Sequence, residues 1–244
     1  MRKYQHIALY CAWSIACAPA SAQRALLLTA NEWQPYTGSD LVQQGLATQI
    51  VRTALQRAGY RVEIRFSNWP RALQTIYAGT ADGVVAVWNT NARAQRLLFS
   101  DSYLSNHMAL LSLQPRYRQV RTITELHGVR VGVGRDYDYS EEFLAARGII
   151  REPVDHAAQN LQKLLLGRVD VVIEDRLIAE YTIQQGSAKN PGLARILFSN
   201  QDLFVLPLYL GIRKDAIDAP TIIRDFNREL AAMKKDGSLR ALLH

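Results

Sequence analysis

The chain has 244 residues, 48% of them hydrophobic, and carries 29 Lys and Arg against 22 Asp and Glu, a net charge of +7. Both cysteines, Cys11 and Cys17, fall within residues 1–22. If that segment is removed, disulfide, zinc-thiolate and cysteine-nucleophile chemistry are excluded together.

Residues 1–22 read as a cleaved secretory signal. Arg2 and Lys3 give the basic start, residues 7–18 an apolar run, and Ala20-Ser21-Ala22 the small-residue cleavage pattern. Cleavage after Ala22 and a periplasmic location are expected. The apolar run is shorter than the ~20 residues of a membrane span, so no membrane insertion is expected. Ser14-Ile15-Ala16-Cys17 is similar to a lipoprotein cleavage box, but Ser14 stands where a branched apolar residue belongs, which argues against lipidation at Cys17. Residues 23–244 then hold 27 Lys and Arg against 22 Asp and Glu, a net charge of +5. That length suits one large domain or two small lobes with ample core.

Short apolar runs alternate with helical periodicity along the remainder. Residues 25–29 predict a strand, 46–58 a helix, 61–66 a strand, 70–78 a helix and 83–87 a strand. Right-handed crossovers make such a unit parallel, with a ligand crevice at the carboxyl ends of its strands. The densest basic run, 116–121, follows Pro115 and reads as a solvated connector rather than a nucleic-acid patch. The series then restarts, with a strand at 130–133, a helix at 141–146 capped by Ser140, a helix at 157–166 capped by Asp155, and a strand at 169–173. A strand at 206–212 and a long amphipathic helix, opened by Asp218-Ala219-Pro220 and ended by Gly237, complete the chain. The pattern is that of two α/β lobes.

Two motifs carry a resemblance. Thr90, Arg93, Phe99, Ser100 and Tyr103 match the T-x-x-R…F-S-x-x-Y segment of the family-3 extracellular solute-binding proteins, and residues 167–175 match that family's G-x-x-D-x-x-x-x-D segment, ending at Asp175. The resemblance covers nearly all of the chain beyond the signal. It implies a type II periplasmic-binding-protein fold, with two parallel-type sheets flanked by helices and joined by two hinge strands. Lobe 1 is expected to be discontinuous, 23–111 and 209–244, and lobe 2 to be 112–208, with crossings near 111–113 and 208–210. The function implied is that of a monomeric receptor for a small amino-acid-like or carboxylate-bearing solute, closing on it and delivering it to an ABC transporter permease, with no cofactor and no catalysis.

In that frame Arg93 receives the ligand carboxylate, since its planar fork of donors matches a carboxylate and stays charged. Asp175 is implied as the acceptor of the ligand ammonium; read without the family it caps the helix that follows it. Glu174 ranks second to it. Trp33, in Asn31-Glu32-Trp33-Gln34-Pro35-Tyr36, follows the first strand, Trp69 precedes the second helix and Trp88 follows the third strand, all at ends facing the expected crevice. Glu32 accompanies Trp33. The loop Gly134-Arg135-Asp136-Tyr137-Asp138-Tyr139 departs from the family's Gly-Thr or Gly-Ser, and with Trp88 suggests an aromatic-lined pocket holding Tyr137.

Cyclohexadienyl dehydratases look similar to this fold, so an acid-catalysed loss of water with Glu32, Glu174 or Asp136 as general acid is one alternative. A soluble sensory module is another. HExxH, GxSxG and a complete phosphate loop are absent from the sequence. His107, His127, His156 and His244 are isolated along the chain, so no metal site is predicted.

Overall fold

The structure, a computed structural model, describes residues 24–135, 137 and 139–243. The expected signal, the cleavage after Ala22, Cys17, Asp136 and His244 lie outside the described residues. The strands are β1 (Ala25–Ala30), β2 (Arg61–Phe66), β3 (Gly83–Val87), β4 (Leu97–Phe99), β5 (Leu104–Ser112), β6 (Arg130–Gly134), β7 (Ile150–Val154), β8 (Val171–Asp175), β9 (Leu197–Phe198) and β10 (Phe204–Arg213). The α-helices are α1 (Leu46–Arg57), α2 (Trp69–Tyr77), α3 (Asn91–Ala94), α4 (Glu141–Ala145), α5 (Ala157–Leu165), α6 (Arg176–Gly186), α7 (Ala219–Asp236) and α8 (Ser238–Leu242).

Pairing runs β2-β1-β3-β10-β5-β8-β6-β7, with β4 on β10 and β9 on β5. β1 is parallel to β2 and β3, and β6 is parallel to β7 and β8, so each lobe has its own parallel core. β3 is buried at every position, as a strand covered on both faces must be. Its Gly83 is required by close approach, since a Cβ there would lie 2.2 Å from Gly211 O on β10. α1 lays Ala47, Ile50, Val51, Ala54 and Leu55 against this sheet, and α7 adds Ile222, Phe226, Leu230 and Met233, each a helical stripe of buried side chains. Gly237 ends α7 in the left-handed region (φ +81°), where glycine carries no Cβ penalty.

β10 is shared. Its residues 204–208 pair antiparallel with β5, while 209–213 pair with β3 and β4. β10 thus passes from one pairing to the other at Leu208 and Tyr209. The crossing expected near 111–113 lies earlier: β5 pairs with β8 from Met108 to Leu111, so the chain has entered that sheet well before 111–113. The passage lies between β4 and β5, where Ser100 N and Tyr103 N donate to Leu210 O and Leu208 O.

Other differences have local causes. The basic run after Pro115 is not a solvated connector throughout; Pro115–Gln119 forms a 3₁₀ turn that buries Tyr117 in the second-lobe core beside Leu126 and Val131. β7 was not predicted, because Arg151, Glu152 and Pro153 break any alternation, yet an edge position tolerates all three. Asp155 does not cap α5. His156 holds that position, and Gln159 Oε1 accepts from both Asp155 N and His156 N. Ser140 does cap α4, accepting from Phe143 N.

Candidate functional site

Five chain segments leave the carboxyl ends of β1, β2, β3, β6 and β7 and converge on one cavity of about 470 Å³ between the lobes. Parallel α/β sheets place their crevices at this end, where loops and helix N-termini are free to face a ligand. Glu32, Trp33, Trp69, Trp88, Arg93 and Tyr137 all line it. Asp175 does not. A second hollow of about 410 Å³, over β7 and α5, shares Arg135 and Asp155 with the first but is lined chiefly by Gln159, Gln162, Lys163 and Arg168, with no aromatic side chain.

Arg93 is placed by a short helix whose cap is spelled in the sequence: Thr90 Oγ1 accepts from Arg93 N at 3.3 Å. Its side chain is only 7% exposed, with the guanidinium 5.0 Å from the Trp69 ring centroid and Nη1 donating to Trp88 O at 3.1 Å. Stacking on the indole holds the fork in one plane and favours the cation. Trp69 is itself held at the first turn of α2, where Asn68 Oδ1 accepts from Arg71 N.

The walls are aromatic. Tyr137, from the second lobe, packs edge-on between Trp33 and Trp88, with centroids 6.3 and 5.3 Å away, and Trp33 Nε1 donates to Tyr137 Oη at 2.6 Å. Trp33 also meets Trp88 at 5.9 Å and Tyr36 at 5.1 Å. The edge-to-face settings suit the ring quadrupoles, and the hydrogen bond satisfies the indole N–H without water. Tyr139 continues the cluster away from the cavity, touching Tyr137 and Phe143 and accepting from Gly134 N.

Asp175 was expected to meet a ligand ammonium. The structure instead buries it, 1% exposed, as the N-cap of α6 and the end point of a hydrogen-bond chain. Its carboxylate accepts from Tyr36 Oη (3.1 Å to each oxygen), Asn106 Nδ2 (3.2 Å), His107 N (2.9 Å) and Ile178 N (3.0 Å). Asn106 Oδ1 accepts in turn from Trp88 Nε1 at 2.7 Å. Burial raises the Asp175 pKa, against the pull of those four donors. The same chain raises the Tyr36 hydroxyl, mainly through burial and then through the negative charge of Asp175.

Glu174 is also buried and does not line the cavity. Desolvation pushes its pKa to about 8, opposed by the hydrogen bond from Asp175 N and assisted by the Asp175 charge, so it is protonated at neutral pH. Glu32, by contrast, is exposed, with its carboxylate accepting from Ser39 N and Gln34 Nε2.

Sequence reasoning missed Asn31, Ser67, Asn68, Arg135, Asp155 and His156, all of which line the cavity. Each lies one or two residues beyond a strand of a parallel pair, a positional signal available once the strands are assigned. Arg135 and Asp155 form an ion pair at 2.6 Å. Among the described residues no cluster of three or more His, Cys, Asp or Glu is placed to hold a metal, and no helix is long and apolar enough to cross a membrane.

The family model of the bacterial extracellular solute-binding proteins, family 3, matches residues 27–244. The chain belongs to that family. This family-3 protein is 26% identical over 229 residues to the L-cystine-binding protein TcyJ of Escherichia coli (strain K12), covering 90% of this chain and 82% of the relative. It is 22% identical to a probable amino-acid ABC transporter-binding protein of Haemophilus influenzae, covering 95% and 87%. Among solved structures, a histidine kinase sensor domain similar to periplasmic binding proteins superposes with a TM-score of 0.74 at 18% identity, over 90% of this chain and 94% of that one. That likeness shows the fold, the two-lobed type II architecture, and nothing of what is bound.

Proposed function

We propose that this family-3 protein is a periplasmic receptor which binds a small amino-acid-like or carboxylate-bearing solute between its lobes and delivers it to an ABC transporter. Arg93 carries the reading: a buried guanidinium, stacked on Trp69, at the wall of an aromatic cavity between the lobes. A solute carboxylate taken there forms charge-assisted hydrogen bonds in a site largely shielded from water, where such bonds are strongest. Trp33, Trp69, Trp88 and Tyr137 supply the apolar faces that enclose its body, and Glu32 stands at the rim. The cystine and amino-acid relatives support the solute class and the transporter as partner. The hinge formed where β5 and β10 connect the lobes supports closure on the ligand. The protein acts as a monomer after cleavage at Ala22.

We read it as a receptor without catalysis. The acid best suited by pKa to donate a proton at neutral pH, Glu174, is buried outside the cavity wall, while Glu32 at the wall is exposed to solvent. Refolded protein, freed of carried-over ligand, is to be screened by thermal unfolding against amino acids, organic acids and prephenate. A ligand at a hundred times its dissociation constant adds about 2.7 kcal/mol of stability. Arg93→Ala is expected to abolish the shift. A wild-type shift that persists unchanged in the variant removes Arg93 from the site, and turnover of prephenate overturns the receptor reading.

A further inference from the structure

We propose that the lobes carry a latch of their own, two tyrosine hydroxyls that hold the protein predominantly closed before a solute arrives. Two side-chain hydrogen bonds join the lobes, and both partners in each are protein. Trp33 Nε1, beyond β1, donates to Tyr137 Oη, beyond β6, at 2.6 Å. Tyr36 Oη, from the same first-lobe loop as Trp33, donates to the Asp175 carboxylate at the end of β8, 3.1 Å from each oxygen. A third bond, Trp88 Nε1 to Asn106 Oδ1 at 2.7 Å, ties the first-lobe wall to the connecting strand β5. Apolar packing follows the same seam. Tyr137 enters edge-on between Trp33 and Trp88, and Ile178, in the first turn of α6, is 4% exposed among the core side chains of the first lobe.

A hinge stays shut to the extent that the closed form makes contacts the open form lacks. Parting these lobes exchanges the Tyr36 bond, between groups 3% and 1% exposed, for bonds to water, and wets the ring faces of Trp33, Trp88 and Tyr137. The bolt is also set in place beforehand. Tyr139 packs on Tyr137 and accepts from Gly134 N, which fixes the loop that presents the Tyr137 hydroxyl to Trp33. The latch and a solute are compatible, because the cavity of about 470 Å³ is lined by Trp33, Trp88 and Tyr137 with all three bonds made. A solute therefore enters in a transient opening and is enclosed when the latch re-forms, and the Tyr36 and Tyr137 hydroxyls set the closed fraction that scales its apparent affinity.

The test needs no solute. Residues 23–244 contain no cysteine, so Gln74→Cys on α2 and Gln162→Cys on α5, both at exposed positions and on opposite lobes, carry a pair of spin labels alone. Double electron–electron resonance on refolded, ligand-free protein reads the distance between the lobes in the labelled wild type, in Tyr36→Phe, in Tyr137→Phe and in the double variant. Each substitution removes one hydroxyl and keeps its ring in the packing. The labelled wild type is expected to show mainly the distance of this closed structure. Each single variant is expected to lower the closed-to-open ratio about fivefold, the worth of one net hydrogen bond, and the double variant further. A wild-type distribution dominated by a longer distance overturns the proposal whatever the variants do. A closed fraction unchanged in the double variant removes the two hydroxyls as its cause and also overturns it. Because no solute is present, either failure leaves the receptor reading to be decided by its own screen.

Discussion

Replacing Glu174 by Gln is expected to abolish a pH dependence of stability that the wild-type protein carries across the neutral range. Glu174 is 1% exposed, its pKa raised by burial from the ordinary 4.5 to about 8, and its Oε1 accepts from Asp175 N at 3.0 Å. A carboxyl whose folded-state pKa lies above its unfolded value adds stability that is complete below the unfolded value and is lost as pH rises through the folded one. Between pH 5.5 and 7.5 the folded protein holds this proton and the unfolded chain has released most of it. Stability then falls by about 1.4 kcal/mol per pH unit from this group alone, or about 2.7 kcal/mol over the interval. Gln keeps the acceptor for Asp175 N and the donor capacity of the protonated acid, but does not titrate. Urea unfolding of both proteins at the two pH values gives a double difference in which all other titrations cancel to first order. A result near 2.7 kcal/mol, the variant gaining on wild type at the higher pH, supports the burial. A difference within about 0.5 kcal/mol, the scatter of additive sites, refutes it and places Glu174 in water or beside a cation.

Tyr137→Ala removes the ring wedged between Trp33 and Trp88 and the acceptor of Trp33 Nε1. It is expected to shift tryptophan emission to longer wavelength and to cost about 3 kcal/mol, from three aromatic pairs, with Trp33, Trp88 and Tyr139, at about 1 kcal/mol each; unchanged emission would show that the ring does not bridge the lobes in solution. Gly83→Ala drives a Cβ to 2.2 Å from Gly211 O and 2.8 Å from Ile212 Cδ1. A backbone carbonyl in a central ladder has little room to yield, so a loss of about 3 kcal/mol in denaturant unfolding is expected, and a near-neutral effect would contradict the β3 to β10 register.

The regular parts of this fold were legible because their patterning is local. β2 and β3 fall on the residues predicted, and α1, α2 and α7 to within a residue or two, since helical stripes and short β-branched runs carry their own periodicity. β5 and β7 were not found. Leu104–Ser112 is polar in its first half, where it meets only β10, and Ile150–Val154 owes its strand conformation to β6 beside it, which no local pattern records. The cavity-facing tryptophans were found from their places at element ends. Asp175 was legible as the cap of α6, which is written in adjacent residues, whereas its bond to Tyr36 joins positions 139 residues apart. The hydroxyl that separates Tyr36 from Phe is a single atom, and only the folded chain shows where it points.

β10 changes ladders in mid-strand, its first half paired in one lobe and its second half in the other. Neither lobe can therefore lose its central pairing without tearing a strand the other depends on. Two bodies joined by a loose tether would melt independently, as separate domains do; these share a beam. The ten residues Phe204–Arg213 thus tie the pairing of one lobe to that of the other, and a single cooperative unfolding transition is expected.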